Sequence, residues 1–203
     1  KKKMETDEFL TIKQPAKGLY KEKGSKFYGI IYPVKSEEEI KDKLEEVRAT
    51  YHDARHHCYA YRYGIEKEHI RMNDDGEPSS TAGKPIFGQI QSHELTNILI
   101  VVVRYFGGTK LGTSGLIRAY KTAAEEAINK SSIIKKVIQA RYMVEFDYGL
   151  MNEVMKFLHD ENLTPIEKEF GASCKFTLGL RKSKEQETLQ KLKTMHGLTI
   201  SSL

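Results

Sequence analysis

Two β-rich runs open the hydrophobic pattern of the chain, over residues 19–23 and 26–32. They flank Gly24 and Ser25, and a glycine-containing pair between two such runs predicts an antiparallel hairpin. Pro33 ends the second run because proline cannot donate to a β-ladder. The first predicted element is therefore a hairpin that reverses at Gly24.

A helix is predicted next, from Ser36 to about residue 50. Glu39 stands three residues after Ser36, which is the spacing of a capping box, where the two side chains satisfy free main-chain N–H groups. Apolar residues then recur at the spacing of one buried stripe. They are Ile40, Leu44 and Val47.

Two strands and two helices are predicted around a long polar segment. Residues 57–63 alternate as a strand, residues 97–104 form an apolar run typical of a central strand, and helices are expected over 86–94 and 114–130. Residues 73–85 are rich in turn-forming side chains and contain almost nothing to bury. A loop of that length inside a compact domain is usually functional or mobile.

The pattern changes near residue 136, where a second set of elements begins. Its order, strand–helix–strand–strand–helix–strand, is that of a ferredoxin-like split unit. We therefore predict an α+β protein with two domains, residues 1–135 and 136–203. The six elements of the second domain are predicted over residues 137–148, 151–161, 163–170, 173–180, 184–195 and 198–202.

Composition and charge limit the possible functions only slightly. The 203 residues carry a formal charge of +5, and residues up to Lys135 supply +4 of it, from 23 basic and 19 acidic side chains. Such an excess permits an anionic partner without requiring one. No apolar run reaches the roughly 18 residues of a membrane span, and the charged N-terminus lacks the apolar segment of a signal peptide. We expect a cytoplasmic protein without a membrane partner, with Cys58 and Cys174 as free thiols.

The strongest candidate for chemistry is the glycine-rich segment from Gly107 to Gly112, between a strand and a helix. Main-chain N–H groups at the start of a helix attract anions. A nucleotide-binding P-loop is not predicted, because Thr113 stands where that motif needs a lysine. Two interpretations stay open: an anion site, or glycines that let the helix pack close to the strand.

Acidic and histidine side chains offer weaker candidates. Asp74, Asp75 and Glu77 could hold a cation, but they lack the EF-hand spacing, and a solvated turn is the favoured interpretation. His56 with Asp75 could form an acid–base pair. His56, His57 and Cys58 are three possible metal ligands in a row, but adjacent residues on a strand point to opposite faces, so all three cannot converge on one metal ion. We predict no metal and no cofactor.

Aromatic and basic residues are mixed in the strand predicted over residues 57–63. Tyr59, Tyr61 and Tyr63, together with Arg62, could stack nucleic-acid bases on an exposed sheet face. Half of these rings are expected to lie in the core instead. The segment is therefore a second, weaker indication of a nucleic-acid partner.

Three segments together resemble the YigZ/IMPACT family. They are HHCYAY at residues 56–61, DDGEPSSTAGKP at residues 74–85 and VRYFGGTKLG at residues 103–112. The sequence KGSKF at residues 23–27 is also similar to the opening of that family. The resemblance extends over nearly the whole chain, and the C-terminal part looks like the extra small domain of bacterial members.

The resemblance implies a fold and a field of activity. The N-terminal domain should adopt the ribosomal-protein-S5 domain-2-like fold, as in domain IV of elongation factor G. The C-terminal domain should be ferredoxin-like, as in domain V of that factor. The eukaryotic relative IMPACT regulates translation and carries a different extra domain, so its particular role is not transferred to this chain.

We predict a protein that binds RNA or the ribosome and takes part in translation regulation, as a monomer or weak homo-oligomer. Two alternatives stay open: a protein-binding regulator that uses residues 74–85, and an enzyme acting on a phosphorylated or peptide substrate through His56, Asp75 and Glu77. The predicted anion-binding residues are Arg55, Lys84, Arg104, Gly107, Gly108, Lys110, Arg118 and Lys121.

Overall fold

The computed structural model describes residues 7–65 and 68–203, which form two compact units. The N-terminal unit consists of Phe9–Lys136, and the C-terminal unit consists of Val137–Leu203 with residues 7–8. Both units combine helices with an antiparallel sheet, so the protein is α+β.

Among the described residues, seven strands lie between residues 8 and 137. Strands β1 (Glu8–Ile12) and β7 (Ile133–Val137) form a two-stranded sheet. The other five form one antiparallel sheet: β2 (Ala16–Glu22), β3 (Ser25–Pro33), β4 (His56–Tyr63), β5 (His69–Asn73) and β6 (Ile98–Tyr105). Their order across this sheet is β2-β3-β6-β4-β5, so the most apolar strand, β6, lies at the centre.

Three helices cover the two faces of the five-stranded sheet. Helices α2 (Gly83–Ser92) and α3 (Gly112–Asn129) pack on the face that carries Phe27 and Cys58. Helix α1 (Glu37–Thr50) covers the other face. Because successive side chains of β6 point to alternate faces, this one strand contributes to both cores.

The predicted hairpin and the predicted cap of α1 are confirmed. β2 and β3 pair around Lys23 and Gly24, both of which have positive φ. The hydroxyl of Ser36 accepts the N–H of Glu39 at 3.2 Å. The Glu39 carboxylate accepts the N–H of Lys35 at 2.7 Å, so the return bond of the cap reaches one residue further back than predicted.

Strands β1, β5 and β7 were not predicted. β5 is an edge strand whose residues are mostly exposed, so its sequence lacks the alternation that marks a half-buried strand. Its neighbour β4 is buried on both faces and was predicted.

The C-terminal unit has the predicted order of elements. Its four strands form an antiparallel sheet with one apolar core that includes Phe146, Phe176 and Leu192. The elements are β8 (Gln139–Phe146), α4 (Met151–Asp160), β9 (Glu167–Phe170), β10 (Cys174–Arg181), α5 (Glu185–Thr194) and β11 (Thr199–Ser202). The strand order is β11-β8-β10-β9.

Candidate nucleic-acid interface

Asp74 organises the acidic loop, residues 74–82, which connects β5 to α2. Its Oδ1 accepts the main-chain N–H groups of Ala82 (2.9 Å) and Gly83 (2.8 Å), and its Oδ2 accepts that of Ser80 (2.8 Å). The first N–H groups of a helix have no partner inside it. Asp74 thus caps α2 from eight residues away, and α2 begins at Gly83 rather than at Ile86 as predicted.

Asp75 fastens the same loop to β4. Its Oδ2 accepts the main-chain N–H of His57 at 2.6 Å, and the guanidinium of Arg48 lies 3.6 Å from its Oδ1. The Nδ1 atom of His56 lies 2.8 Å from the main-chain oxygen of Asp75. The imidazole of His56 therefore contacts the carbonyl and not the carboxylate, so the predicted acid–base pair is replaced by a contact that shapes the loop.

Glu77 is the buried end of the acidic loop. Its Oε1 accepts hydrogen bonds from Nη1 of Arg104 (2.6 Å) and from the hydroxyl of Tyr120 (2.7 Å). The Cys58 thiol reaches the Tyr120 hydroxyl at 3.3 Å and the main-chain oxygen of Asp74 at 3.0 Å. Burial raises the pKa of both Cys58 and Tyr120, so both are neutral at neutral pH. This network joins β4, β6, α3 and the acidic loop.

Arg104 is also buried, with only 7% of its surface exposed. Its guanidinium lies between the rings of Phe27 and Phe106, at 5.5 and 5.7 Å from their centroids. Within the described chain, its Nε is buried without a hydrogen-bond partner. The charge of Arg104 is directed at Glu77, so this residue offers no exposed charge to a phosphate, in contrast to its predicted role.

The glycine loop, residues 106–111, connects β6 to α3 and packs on the hairpin turn. The N–H of Gly107 donates to the Ser25 hydroxyl at 3.1 Å, and a Cβ at Gly107 would lie 1.9 Å from the carbonyl carbon of Gly24. Gly108 and Gly112 have φ values of +89° and +73°, and a Cβ at either would meet nothing within 4 Å. Gly107 therefore serves packing, whereas Gly108 and Gly112 leave open main chain.

Exposed cations occur in the hairpin turn, in the glycine loop and on α3. An ion pair between Arg118 and Glu22 links α3 to β2, and the hydrogen bond from Arg118 lowers the pKa of Glu22. Residues 21–26 and 106–121 contain six basic side chains and one carboxylate, a net of +5 that equals the formal charge of the whole chain. We call the exposed part of these two segments the basic surface. Its cations are Lys21, Lys23, Lys26, Lys110, Arg118 and Lys121.

The predicted residues Lys110, Arg118 and Lys121 are all exposed, the first in the glycine loop and the other two on α3. The three hairpin lysines were missed, although the spacing KEKGSK over residues 21–26 places a cation on either side of the turn. Arg55 and Lys84 are exposed but lie outside the basic surface, immediately before β4 and in the first turn of α2.

An aromatic cleft of about 420 Å³ lies on the sheet face covered by α1. Tyr28 stacks on Tyr51 with ring centroids 5.7 Å apart and meets the edge of Tyr105 at 6.0 Å. The Nζ of Lys17 lies 4.6 Å from the centre of the Tyr28 ring and 5.0 Å from that of Tyr51. We call this the tyrosine cleft, which is lined by Lys17, Gly24, Lys26, Tyr28, Tyr51, Tyr105 and Phe106.

The tyrosines predicted to stack bases lie elsewhere. Tyr59 and Tyr61 are buried in the core beneath α1, and Tyr63 is half-buried and stacks on His69. The rings of the tyrosine cleft come from three separate elements, which sequence spacing alone does not bring together. The register between β3 and β6, in which Lys26 pairs with Tyr105, places the ring of Tyr28 beside that of Tyr105.

Two further features, a metal-binding cluster and a membrane-spanning helix, are absent from residues 7–65 and 68–203. No group of three histidine, cysteine, aspartate or glutamate side chains in this part of the chain is placed to hold a metal ion. None of the described helices combines the length and apolarity that crossing a membrane requires.

The family model of the Impact N-terminal domain matches residues 23–128, which is more than half of the chain. The IMPACT family member YigZ of Escherichia coli (strain K12) is 32% identical over 172 residues, which cover 84% of either chain. The chain belongs to the IMPACT family. The IMPACT match runs from Lys23 in the hairpin turn to Ile128 in the last turn of α3, so it contains both loops and most of the basic surface.

Two further comparisons extend over most of this IMPACT-family chain. The IMPACT family member YvyE of Bacillus subtilis (strain 168) is 30% identical over 169 residues, covering 83% of this chain and 77% of the relative. A crystal structure of a hypothetical protein is 29% identical, with a TM-score of 0.71 and coverage of 98% of both chains. The α+β architecture described above is therefore found in an experimental structure.

Proposed function

We propose that this IMPACT-family protein binds RNA, free or within the ribosome, through the basic surface, and that it serves translation regulation in the cytoplasm. The observation that carries the proposal is the concentration of exposed cations in residues 21–26 and 106–121, two segments that are in contact at Gly24 and Gly107, while the rest of the chain is close to neutral. Membership of the IMPACT family supports the link to translation.

The chemistry of the basic surface suits a phosphate backbone. Lysine and arginine side chains that neutralise phosphates release condensed counterions, so each contact contributes roughly one unit to the salt dependence of binding. Gly108 and Gly112 have no side chains to hold a ligand away, so a phosphate can approach the main chain on either side of Lys110. The surface thus combines exposed cations with main chain that no side chain covers at Gly108 and Gly112.

The proposed contact residues differ from the predicted set. Arg104 and Gly107 are assigned to packing because one is buried and the other lies against Gly24. Arg55 and Lys84 are left out of the proposed set because they belong to other segments, immediately before β4 and in the first turn of α2. The residues proposed to contact phosphate are Lys23, Lys26, Lys110, Arg118 and Lys121.

We also propose the finer fold assignments. The βαββαβ order and the β11-β8-β10-β9 sheet of the C-terminal unit support a ferredoxin-like domain. A likeness of the N-terminal unit to ribosomal protein S5 domain 2 is supported by the family resemblance. Together they would give the pair of folds found in domains IV and V of elongation factor G.

The test is a salt titration of binding to a structured RNA and to purified ribosomes. A Lys110→Gln/Lys121→Gln variant removes two charges from the basic surface. The matched control is Lys35→Gln/Lys130→Gln, which removes two exposed lysines at the other end of the sheet, after β3 and after α3. Fluorescence anisotropy for the RNA and co-sedimentation for ribosomes give the affinities.

The proposal predicts that log Kd rises with log salt and that the first variant reduces this slope by roughly two units. The control should keep the wild-type slope to within about half a unit. Equal losses in both variants would mean that binding reflects overall charge and not this surface. No binding to either target would overturn the proposal and favour a protein partner.

A further inference from the structure

The basic surface continues directly into the tyrosine cleft, because Gly24, Lys26 and Phe106 belong to both. We propose that the tyrosine cleft takes unpaired bases of single-stranded RNA whose phosphates lie on the basic surface. The inference rests on the proposed RNA-binding function and names the form of RNA that the site accepts.

The rings of the cleft are held in place before any ligand arrives. Tyr28 is fixed between Tyr51 and Tyr105, and the hydroxyl of Tyr105 donates to Asp53 at 2.6 Å. That hydrogen bond raises the pKa of Tyr105 to about 12, so the ring stays neutral. All three tyrosines are only half-buried. A rigid aromatic floor loses little conformational freedom when a flat ligand stacks on it.

Charge at the cleft favours an anionic ligand with a flat base. Lys17 lies over two of the rings, and Lys26 stands at the boundary with the basic surface. Proteins that bind single strands without strong sequence preference combine such a cationic groove with aromatic stacking platforms. The carboxylate of Asp53 lies beside these rings, where its Oδ1 accepts the hydrogen bond from the Tyr105 hydroxyl.

The shape of the cleft selects single strands over duplexes. Its volume of about 420 Å³ is that of a small-molecule pocket. Bases in an A-form helix are stacked on each other and do not offer their faces, whereas unpaired bases can stack on aromatic side chains. A duplex could therefore contact the lysines of the basic surface but could not fill the cleft.

Phe106 supplies an outer ring at the border of the cleft. It is 58% exposed, and its only ring partner among the described residues is the Arg104 guanidinium. An exposed phenylalanine between a cationic loop and an aromatic cleft is well placed to stack on the base next to the one in the cleft.

The test compares two fluorescein-labelled oligonucleotides with equal numbers of phosphates: a ten-nucleotide oligouridine and the same chain with abasic sites. Stacking contributes about 1–3 kcal/mol per base, so wild type should bind the oligouridine roughly 5-fold or more tightly than the abasic chain. Phe106→Leu and Tyr105→Leu should each reduce this preference toward 2-fold or less. Tyr105→Phe keeps the ring and should preserve it.

The outcomes separate this inference from the proposed function. Equal binding of both oligonucleotides, with the salt slope still dependent on Lys110 and Lys121, overturns the base-binding cleft and leaves the basic surface in place. A base preference that survives both ring deletions also overturns it. Failure to bind either oligonucleotide, while structured RNA binds, would exclude single strands as the ligand. If Tyr105→Leu is unfolded by circular dichroism, the exposed position of Phe106 makes Phe106→Leu the deciding variant.

Discussion

The acidic loop and the glycine loop are both dense in small and polar residues, but their polar groups point in opposite directions. In the acidic loop, the carboxylates of Asp74 and Asp75 accept hydrogen bonds from main-chain N–H groups. The carboxylate of Glu77 accepts hydrogen bonds from Arg104 and Tyr120. In the glycine loop, the lysine at 110 is exposed, and Gly108 has open space where a side chain would lie.

The difference shows that a polar motif is not in itself a functional site. What matters is whether its donors and acceptors already have partners inside the fold. The carboxylates of the acidic loop cap α2, bond to the main chain of β4 and pair with a buried arginine, so this loop acts as a scaffold. The glycine loop uses one glycine for packing and leaves the rest of its surface to a ligand.

The largest effect is expected at Glu77. Glu77→Leu would leave the Arg104 charge buried without its partner, and breaking a buried pair in this way costs about 3–5 kcal/mol of unfolding free energy. Urea denaturation followed by circular dichroism measures the loss. The double variant Glu77→Leu/Arg104→Met removes both charges and should recover much of it. A single variant that loses less than about 1 kcal/mol would refute the scaffold role.

Removal of the Asp74 cap is the next largest change. Asp74→Ala leaves three main-chain N–H groups without their carboxylate, and we expect a loss of about 2–3 kcal/mol. Hydrogen exchange should speed up at Ala82 and Gly83 in particular. Asp42→Ala, at an exposed position of α1, is the control and should stay within about 0.5 kcal/mol. Unchanged exchange at α2 would contradict the capping role.

Within the glycine loop, the effects should be smaller and unequal. Gly107→Ala places a methyl group into the main chain of the hairpin turn and should cost about 2 kcal/mol. In Gly108→Ala the new methyl group has no atom within 4 Å, so the only loss of unfolding free energy comes from the positive φ and is about 1 kcal/mol. Gly88→Ala, in α2 with open space around it, should instead stabilise by about 0.5–1 kcal/mol. Thermal unfolding of the three variants ranks their stabilities. A larger loss of stability for Gly108→Ala than for Gly107→Ala would contradict the assignment of Gly107 to packing.

The sequence predicted those elements whose signals are local. The hairpin turn, the capping box at Ser36 and the central strand β6 follow from a few neighbouring residues, and each is present. The start of α2 could not be predicted because its cap, Asp74, lies in a different segment. β5 was missed because an exposed edge strand has no alternating pattern.

The residues of the candidate site show the same division between local and distant signals. Lys110, Arg118 and Lys121 are close in sequence, in the glycine loop and on α3, so the sequence alone could single them out, and their role in binding stays a prediction. The inward turn of Arg104 depends on Glu77 and on the rings of Phe27 and Phe106, which come from other elements. The tyrosine cleft likewise depends on the register between β3 and β6 and was invisible to spacing alone.

The central claim is that the hairpin and the glycine loop, and not the acidic loop, form the face that meets RNA. Lysine acetylation read by mass spectrometry, with and without saturating structured RNA, tests it most directly. The account predicts that Lys23, Lys26, Lys110 and Lys121 lose most of their reactivity in the complex, while Lys35, Lys84 and Lys130 keep theirs. Protection centred on Lys84, beside the acidic loop, or on lysines of the C-terminal unit would contradict it.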